Sequence, residues 1–218
     1  MRFNSARPIT ARTAREQDGL REMLFPGKQP EVFTRNRTID SRHGFLPWNT
    51  YTEPRKLNPH EKNIAGDFFG DMIDLEEVRI DDKNWWARFL ARFGKVMTEG
   101  NTIYGINIPD DTLIHELVHV WQYNKDIIDF ETAADAHIEA WRARKTDELY
   151  YYSVEPRQTF RKYGFEEQAS IVQDAYLVLE EEEPPRRNEN YQSGDPLPEE
   201  LYELFMDEFE EWHEALTE

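Results

Sequence analysis

Apolar residues recur every three or four positions through most of the chain after residue 57, which is the spacing of one helix face. Six segments show this pattern and predict helices, at 58–69, 82–93, 110–122, 131–144, 164–182 and 198–217. Start and stop signals agree with the pattern. Asn58 and Pro59 open the first segment, for example, and Gly70 closes it. The chain is therefore predicted to be rich in helices.

Two short stretches lack the helical period and instead predict strands. Residues 78–80 form one, and residues 95–108 indicate strands on either side of a turn at Gly100-Asn101. Two interpretations stay open for the strand at 101–106. It is either part of an ordinary hairpin, or an edge to which an extended peptide adds by main-chain hydrogen bonds. Together these elements predict an α+β fold, helix-rich with a small sheet.

The same pattern suggests how the chain is divided. Residues 1–57 have no sustained period and are predicted to form an N-terminal extension, whereas residues 58–183 carry the elements of a globular domain. Residues 184–218 read as an acidic linker followed by a C-terminal amphipathic helix. The helix has an apolar stripe made of Leu201, Leu204, Phe205, Phe209, Trp212 and Leu216. We expect it to pack on its own domain, because an apolar stripe of that size is unusual in water; docking on a partner is the alternative.

The 110–122 segment carries the residues with the clearest chemistry, His115, Glu116 and His119. On a helix, His115 and His119 lie one turn apart on one face, so their imidazoles can bind a single zinc ion. Glu116 lies beside them, where its carboxylate can take a proton from a metal-bound water. A lone histidine on an apolar face is usually a core residue, but two with a glutamate in register indicate a metal site.

Composition distinguishes between kinds of zinc site. The chain has no cysteine, whereas structural zinc sites commonly use cysteine. A catalytic site with three protein ligands and one open position fits better, so a third ligand must come from another element. We nominate Glu166, which lies near the start of the 164–182 helix beside residues that would otherwise be core. A buried carboxylate costs several kcal/mol unless it is paired or metal-bound. Glu167 remains the rival, and a solvated first-turn glutamate favoured by the helix dipole is the alternative to a ligand role.

Other ring-bearing residues at helical positions are interpreted mainly as core. His137 falls on the apolar face of the 131–144 helix together with Trp141, and a role as a metal ligand is its alternative. The 82–93 helix has an aromatic face that is predicted to be buried, made of Trp85, Trp86, Phe89, Leu90 and Phe93. A tyrosine within 149–152 is expected to pack in the core, with a hydrogen bond to a developing oxyanion as the alternative.

Charge excludes some functions. The formal net charge of the 218 residues is −18, which argues against nonspecific nucleic-acid binding and against docking on anionic lipid. Residues 180–218 are strongly acidic, while residues 1–43 are basic. No signal-peptide core and no membrane-spanning run is visible. We therefore expect a protein that is cytoplasmic or exported by a signal-independent secretion system.

The motifs resemble a known family. The HExxH helix followed by EEQA at 166–169 is similar to the gluzincin branch of the zincin metallopeptidases, whose third metal ligand is that first glutamate. The ordered set also resembles small bacterial metallopeptidase effector domains associated with type VI secretion spikes and polymorphic toxin systems. It consists of LNPHE at 57–61, FGDMIDL at 69–75, VRI at 78–80, GNTIY at 100–104, HELVHVWQ at 115–122 and EEQA at 166–169. These segments lie within slightly over half of the chain.

The resemblance implies a zincin-like fold with an HExxH active-site helix, Zn²⁺ held by His115, His119 and Glu166, and Glu116 as the catalytic base. It implies peptide-bond hydrolysis by a secreted or injected effector. Its partners would be a peptide or protein substrate and a delivery or inhibitor protein. Ser170 departs from the pattern, since several gluzincins place there an Asp that orients a zinc-bound histidine; Asp174, one turn later, is the candidate substitute. The alternative function is a non-catalytic protein-binding module with a zinc-stabilised or degenerate zincin fold.

Overall fold

The computed structural model describes residues 53–217; the predicted extension before residue 53 lies outside this part. Four strands are present in it: β1 (Arg55–Lys56), β2 (Arg79–Asp81), β3 (Met97–Glu99) and β4 (Thr102–Tyr104). Six α-helices accompany them: α1 (Pro59–Phe69), α2 (Trp85–Ala91), α3 (Asp110–Asn124), α4 (Phe130–Ala143), α5 (Phe165–Leu179) and α6 (Glu199–Ala215). The prediction of a helix-rich α+β fold with a small sheet is therefore confirmed. No described helix has the length and apolar character needed to cross a membrane.

The four strands form one sheet in the order β1-β2-β4-β3. β4 runs parallel to β2 and antiparallel to β3, with Ile103 aligned to both Ile80 and Thr98. Gly100, with φ of 57°, makes the turn between β3 and β4, as expected. The interpretation of the 101–106 strand as a substrate-binding edge is wrong, because β4 uses its main-chain hydrogen bonds on both sides. The edge strand beside it is β3.

Helix α2 differs most from its prediction. It spans Trp85–Ala91 and not 82–93, because the Asp81 carboxylate accepts a hydrogen bond from the Asn84 N–H at 2.9 Å and delays the start. The prediction of burial is wrong for two residues of the aromatic face, since Trp85 is 52% exposed and Phe93 is 65% exposed. Ala87, by contrast, is fully buried. A two-turn helix that meets the body through a small residue leaves the large side chains of Trp85 and Phe89 near the surface.

Helices α3 and α5 pack against each other at the centre of the domain and are buried around most of their circumference. Pro109 precedes α3, no side chain caps the helix, and Asp110 and Asp111 follow Pro109. Both carboxylates lie in the first turn, where the helix dipole favours negative charge. The two helices that carry the predicted metal ligands therefore lie side by side.

The C-terminal helix α6 packs on this core, which confirms the expectation for the amphipathic stripe. Phe205 and Phe209 are buried, and the ring of Phe209 lies 4.6 Å from that of Trp121 on α3. The Trp121 indole N–H also donates to His213 Nδ1 at 3.0 Å. Leu204 stays 54% exposed on the opposite side. The chain divisions after residues 57 and 183 stay predictions.

Candidate metal centre

Two nitrogens and one oxygen converge where α3 faces the first turn of α5. The Nε2 atoms of His115 and His119 lie 3.2 Å apart, and each lies 3.2 Å from Oε2 of Glu166. All three side chains are buried, and their ligand atoms fall within 4.8 Å of one another. Glu167 does not join them, because its carboxylate accepts a hydrogen bond from the Gly164 N–H at 2.6 Å. The donor set of two imidazoles and one carboxylate suits a zinc ion.

Interactions within this cluster outweigh the effect of burial on the pKa values of Glu166 and His119. Burial alone raises the pKa of Glu166, but the charge of His119 and hydrogen bonds from three histidines outweigh it and hold that pKa well below its usual value. Burial likewise lowers the pKa of His119, and the nearby Glu166 carboxylate reverses the effect and raises it to about 9. The site therefore favours positive charge beside Glu166, which a bound cation would also supply.

Glu116 lies next to this group without belonging to it. Its carboxylate is buried, and Oε2 accepts a hydrogen bond of 2.7 Å from the hydroxyl of Thr98 on β3. The edge strand thus fixes the direction of a carboxylate that leaves α3 beside His115. A buried carboxylate held outside this group could accept a proton from a water bound to a metal ion there.

His137 contradicts its interpretation as a core residue. Its Nε2 lies 2.8 Å from Oε1 of Glu166, and its side chain is 35% exposed. Trp141, predicted to lie on the same buried face, is 70% exposed. The side of α4 that faces the protein interior is therefore rotated from the side that the sequence predicted. Nothing in the sequence spacing indicates the contact, because it depends on how the chain folds between α4 and α5.

Two tyrosines of the 149–152 segment lie in different surroundings, Tyr150 beside the candidate metal site and Tyr152 in the core. The Tyr150 ring lies 5.8 Å from that of His115 and 6.3 Å from that of His137. Burial, followed by the charges of Glu166 and Glu116, raises the pKa of Tyr150 well above its usual value, so its hydroxyl stays a donor. Tyr152 instead packs in the core, where its hydroxyl donates to Asp174 at 3.0 Å.

The outer contacts of the two histidines differ. His119 Nδ1 lies 2.8 Å from Oε1 of Gln122, whereas Nδ1 of His115 and the hydroxyl of Ser170 are buried and have no hydrogen-bond partner within residues 53–217. Asp174 does not take the orienting role suggested for it. Its carboxylate holds Tyr152 and accepts from the main-chain N–H groups of Arg186 and Arg187.

Comparisons with known proteins relate part of the chain to a protein of a bacterial secretion system. No protein-family model matches the chain. Over 139 residues it is 27% identical to the type VI secretion system spike protein VgrG2b of Pseudomonas aeruginosa, a match that covers 58% of this chain and 13% of that protein. Among solved structures, the effector domain of Pseudomonas aeruginosa VgrG2b aligns with a TM-score of 0.45 and 26% identity, over 58% of this chain and 75% of that one. The chain is thus related in sequence to a small part of a type VI secretion spike protein, as its ordered motifs predicted.

Proposed function

We propose that this protein is a zinc-dependent metallopeptidase with a zincin-like fold, in which His115, His119 and Glu166 bind the metal and Glu116 is the base. The observation that carries the proposal is the convergence of the three buried ligand atoms within 4.8 Å, beside the buried carboxylate of Glu116, which is not part of the group. A purely structural zinc site would gain nothing from this second carboxylate, whose burial costs free energy. This disfavours the alternative of a non-catalytic binding module.

The residues of the chain suggest how peptide hydrolysis would proceed. Bound zinc would supply Lewis acidity, which lowers the pKa of water and polarises a carbonyl group. Glu116, oriented by Thr98, accepts the proton of the attacking water and passes it to the departing amine. The Tyr150 hydroxyl, protonated because of its raised pKa, donates to the oxygen that gains negative charge. His137 holds one oxygen of Glu166, which leaves the other oxygen facing the histidines.

We further propose that the protein is an effector of a type VI secretion system or of a related toxin system. The sequence relationship to VgrG2b supports this role. An effector of this kind needs a delivery protein, and the producing cell needs an inhibitor protein. A peptide or protein inside the target cell would be the substrate.

Zinc analysis and a cleavage assay on one preparation test the proposal. The full-length protein should bind about one zinc per chain and cleave an unfolded protein or a peptide library, and a chelator should abolish the cleavage. Glu116→Gln should keep the zinc and lose about 10²–10⁴-fold in turnover, because glutamine cannot accept a proton. Glu167→Gln makes the same chemical change outside the cluster and should leave turnover unchanged. Zinc binding without cleavage in the wild type would favour the binding-module alternative.

A further inference from the structure

A chain of buried amide hydrogen bonds runs from the backbone before α5 to the imidazole of His119. The side-chain nitrogen of Gln168 lies 3.0 Å from the carbonyl oxygen of Tyr163. The side-chain nitrogen of Gln122 lies 2.9 Å from Oε1 of Gln168 and 3.0 Å from the carbonyl oxygen of Phe165. Oε1 of Gln122 then lies 2.8 Å from Nδ1 of His119. Gln122 is fully buried and Gln168 nearly so.

The direction of this chain is fixed by its carbonyl ends. A main-chain carbonyl only accepts hydrogen bonds, so the amide nitrogen of Gln168 must face Tyr163, and its oxygen must face Gln122. The amide nitrogen of Gln122 then uses both of its hydrogens, on Gln168 and on Phe165. Its oxygen is left facing His119, and an oxygen there can only accept. Reversing either amide would place its oxygen opposite another buried carbonyl oxygen, and both acceptors would then lack a donor. Native structures avoid such unsatisfied buried groups.

We infer that Gln122 and Gln168 are positioning residues that hold a proton on Nδ1 of His119, so that Nε2 is the nitrogen through which this ring binds a metal ion. Nε2 is also the atom that faces His115 and Glu166. The inference rests on the proposed metal site. It extends that proposal by stating that two neutral amides, those of Gln122 and Gln168, orient the imidazole of His119.

The arrangement also couples the two ligand-bearing helices. Gln122 lies three residues after His119 on α3, and Gln168 lies two residues after Glu166 on α5. Their contact therefore joins α3 to α5 next to both ligands. His115 has no equivalent, since its Nδ1 has no hydrogen-bond partner in the described part of the chain. The two histidines are thus held differently, and His119 is the one with a fixed direction.

Methionine substitutions test the inference, because Met is close to Gln in shape and has no amide. In Gln122→Met, zinc affinity measured by chelator competition should fall by about 10–100-fold, the usual effect of losing an outer-shell partner of a ligand. In Gln168→Met the zinc affinity should fall less, since the carbonyl group of Phe165 still accepts a hydrogen bond from Gln122. Gln173→Met is the matched control on α5, because the Gln173 amide donates to Asp111 and lies outside the chain of amides.

Nitrogen-15 NMR of the metal-free full-length protein gives a second readout. The Nδ1–H proton of His119 should be visible, shifted downfield and slow to exchange with solvent in the wild type and in Gln173→Met. In Gln122→Met it should exchange fast, with the melting temperature showing that the variant is folded; if it does not fold, Gln168→Met carries the same test. An Nδ1 without a proton in the wild type overturns the inference, and so does a Gln122→Met affinity within twofold of wild type. A wild type that binds zinc and cleaves nothing would defeat the proposed peptidase and leave these two readouts unaffected.

Discussion

The hydroxyl of Thr98 lies 2.7 Å from Oε2 of Glu116, so the edge strand β3 holds the carboxylate that α3 presents beside the proposed metal ligands. Thr98 is itself 7% exposed, so little water competes for this contact. A buried carboxylate without this donor would be free to turn. The strand therefore determines the direction of the proposed base, which the spacing on the helix alone does not specify.

Removing the Thr98 hydroxyl should impair turnover and spare the metal. Thr98→Val keeps the shape of the side chain, and we expect kcat to fall by up to about 100-fold, the scale of loss from a misplaced catalytic group. Thr98→Ser restores the donor and should recover most of the activity. Peptide-cleavage kinetics and zinc content of both variants provide the measurement. Equal losses in the two variants would mean that packing, and not the hydrogen bond, is what matters.

The third ligand should be Glu166 and not its neighbour. Glu166→Ala removes the one oxygen that lies 3.2 Å from both histidine Nε2 atoms, and zinc affinity should fall by more than the ~10–100-fold typical of an outer contact. Glu167→Ala removes a carboxylate that binds the Gly164 N–H, and should leave affinity close to wild type. Chelator competition distinguishes them. Loss in the second variant with retention in the first would reverse the assignment.

Zinc affinity should increase as the pH rises toward about 9, the pKa of His119 in the metal-free protein. The imidazole must lose the Nε2 proton before it binds metal, so binding releases protons below that pKa. Affinity measured against a chelator of known pH dependence across neutral and alkaline pH checks this. A flat profile would show that His119 is already neutral at neutral pH.

The pKa shifts of His119 and Glu166 both contribute to the pH dependence of stability in the metal-free protein. The raised pKa of His119 adds stability that is fully present below the unfolded value of 6.5 and is lost as the pH rises through about 9. The depressed pKa of Glu166 adds stability that is present above the unfolded pKa of 4.5 and is lost as the pH falls through its lower folded pKa. Chemical denaturation of the metal-free protein should therefore show both contributions in full between about pH 4.5 and 6.5.

Helix α6 should prove to be part of the folded core. Phe209→Ala removes a fully buried ring that contacts Trp121, and should cost about 3–5 kcal/mol in the free energy of unfolding. Leu204→Ala lies on the exposed side of the same helix and should change stability by less than about 0.5 kcal/mol. Urea denaturation of both variants provides the comparison. A Phe209 variant as stable as the wild type would mean that α6 docks elsewhere.

Short-range spacing accounts for what the sequence determined by itself. His115 and His119 meet because residues one turn apart on a helix share a face, whatever the rest of the chain does. The same reasoning favoured Glu166 over Glu167, since Glu166 shares a face with buried Ala169, and the structure brings Glu166 to the histidines. The apolar stripe of α6 likewise predicted burial, because a stripe of that size has to be covered.

Tertiary structure determined which side chains surround Glu116 and Glu166. Thr98 on β3 and His137 on α4 reach Glu116 and Glu166 from elements whose positions depend on long connections, so no local period could reveal them. The aromatic residues of α2 show the opposite failure: a local period predicted burial, but Trp85 remains half exposed. A hydrophobic period indicates which side of a helix can be covered. How much of that side is covered depends on the neighbours, and these are fixed only when the whole chain has folded.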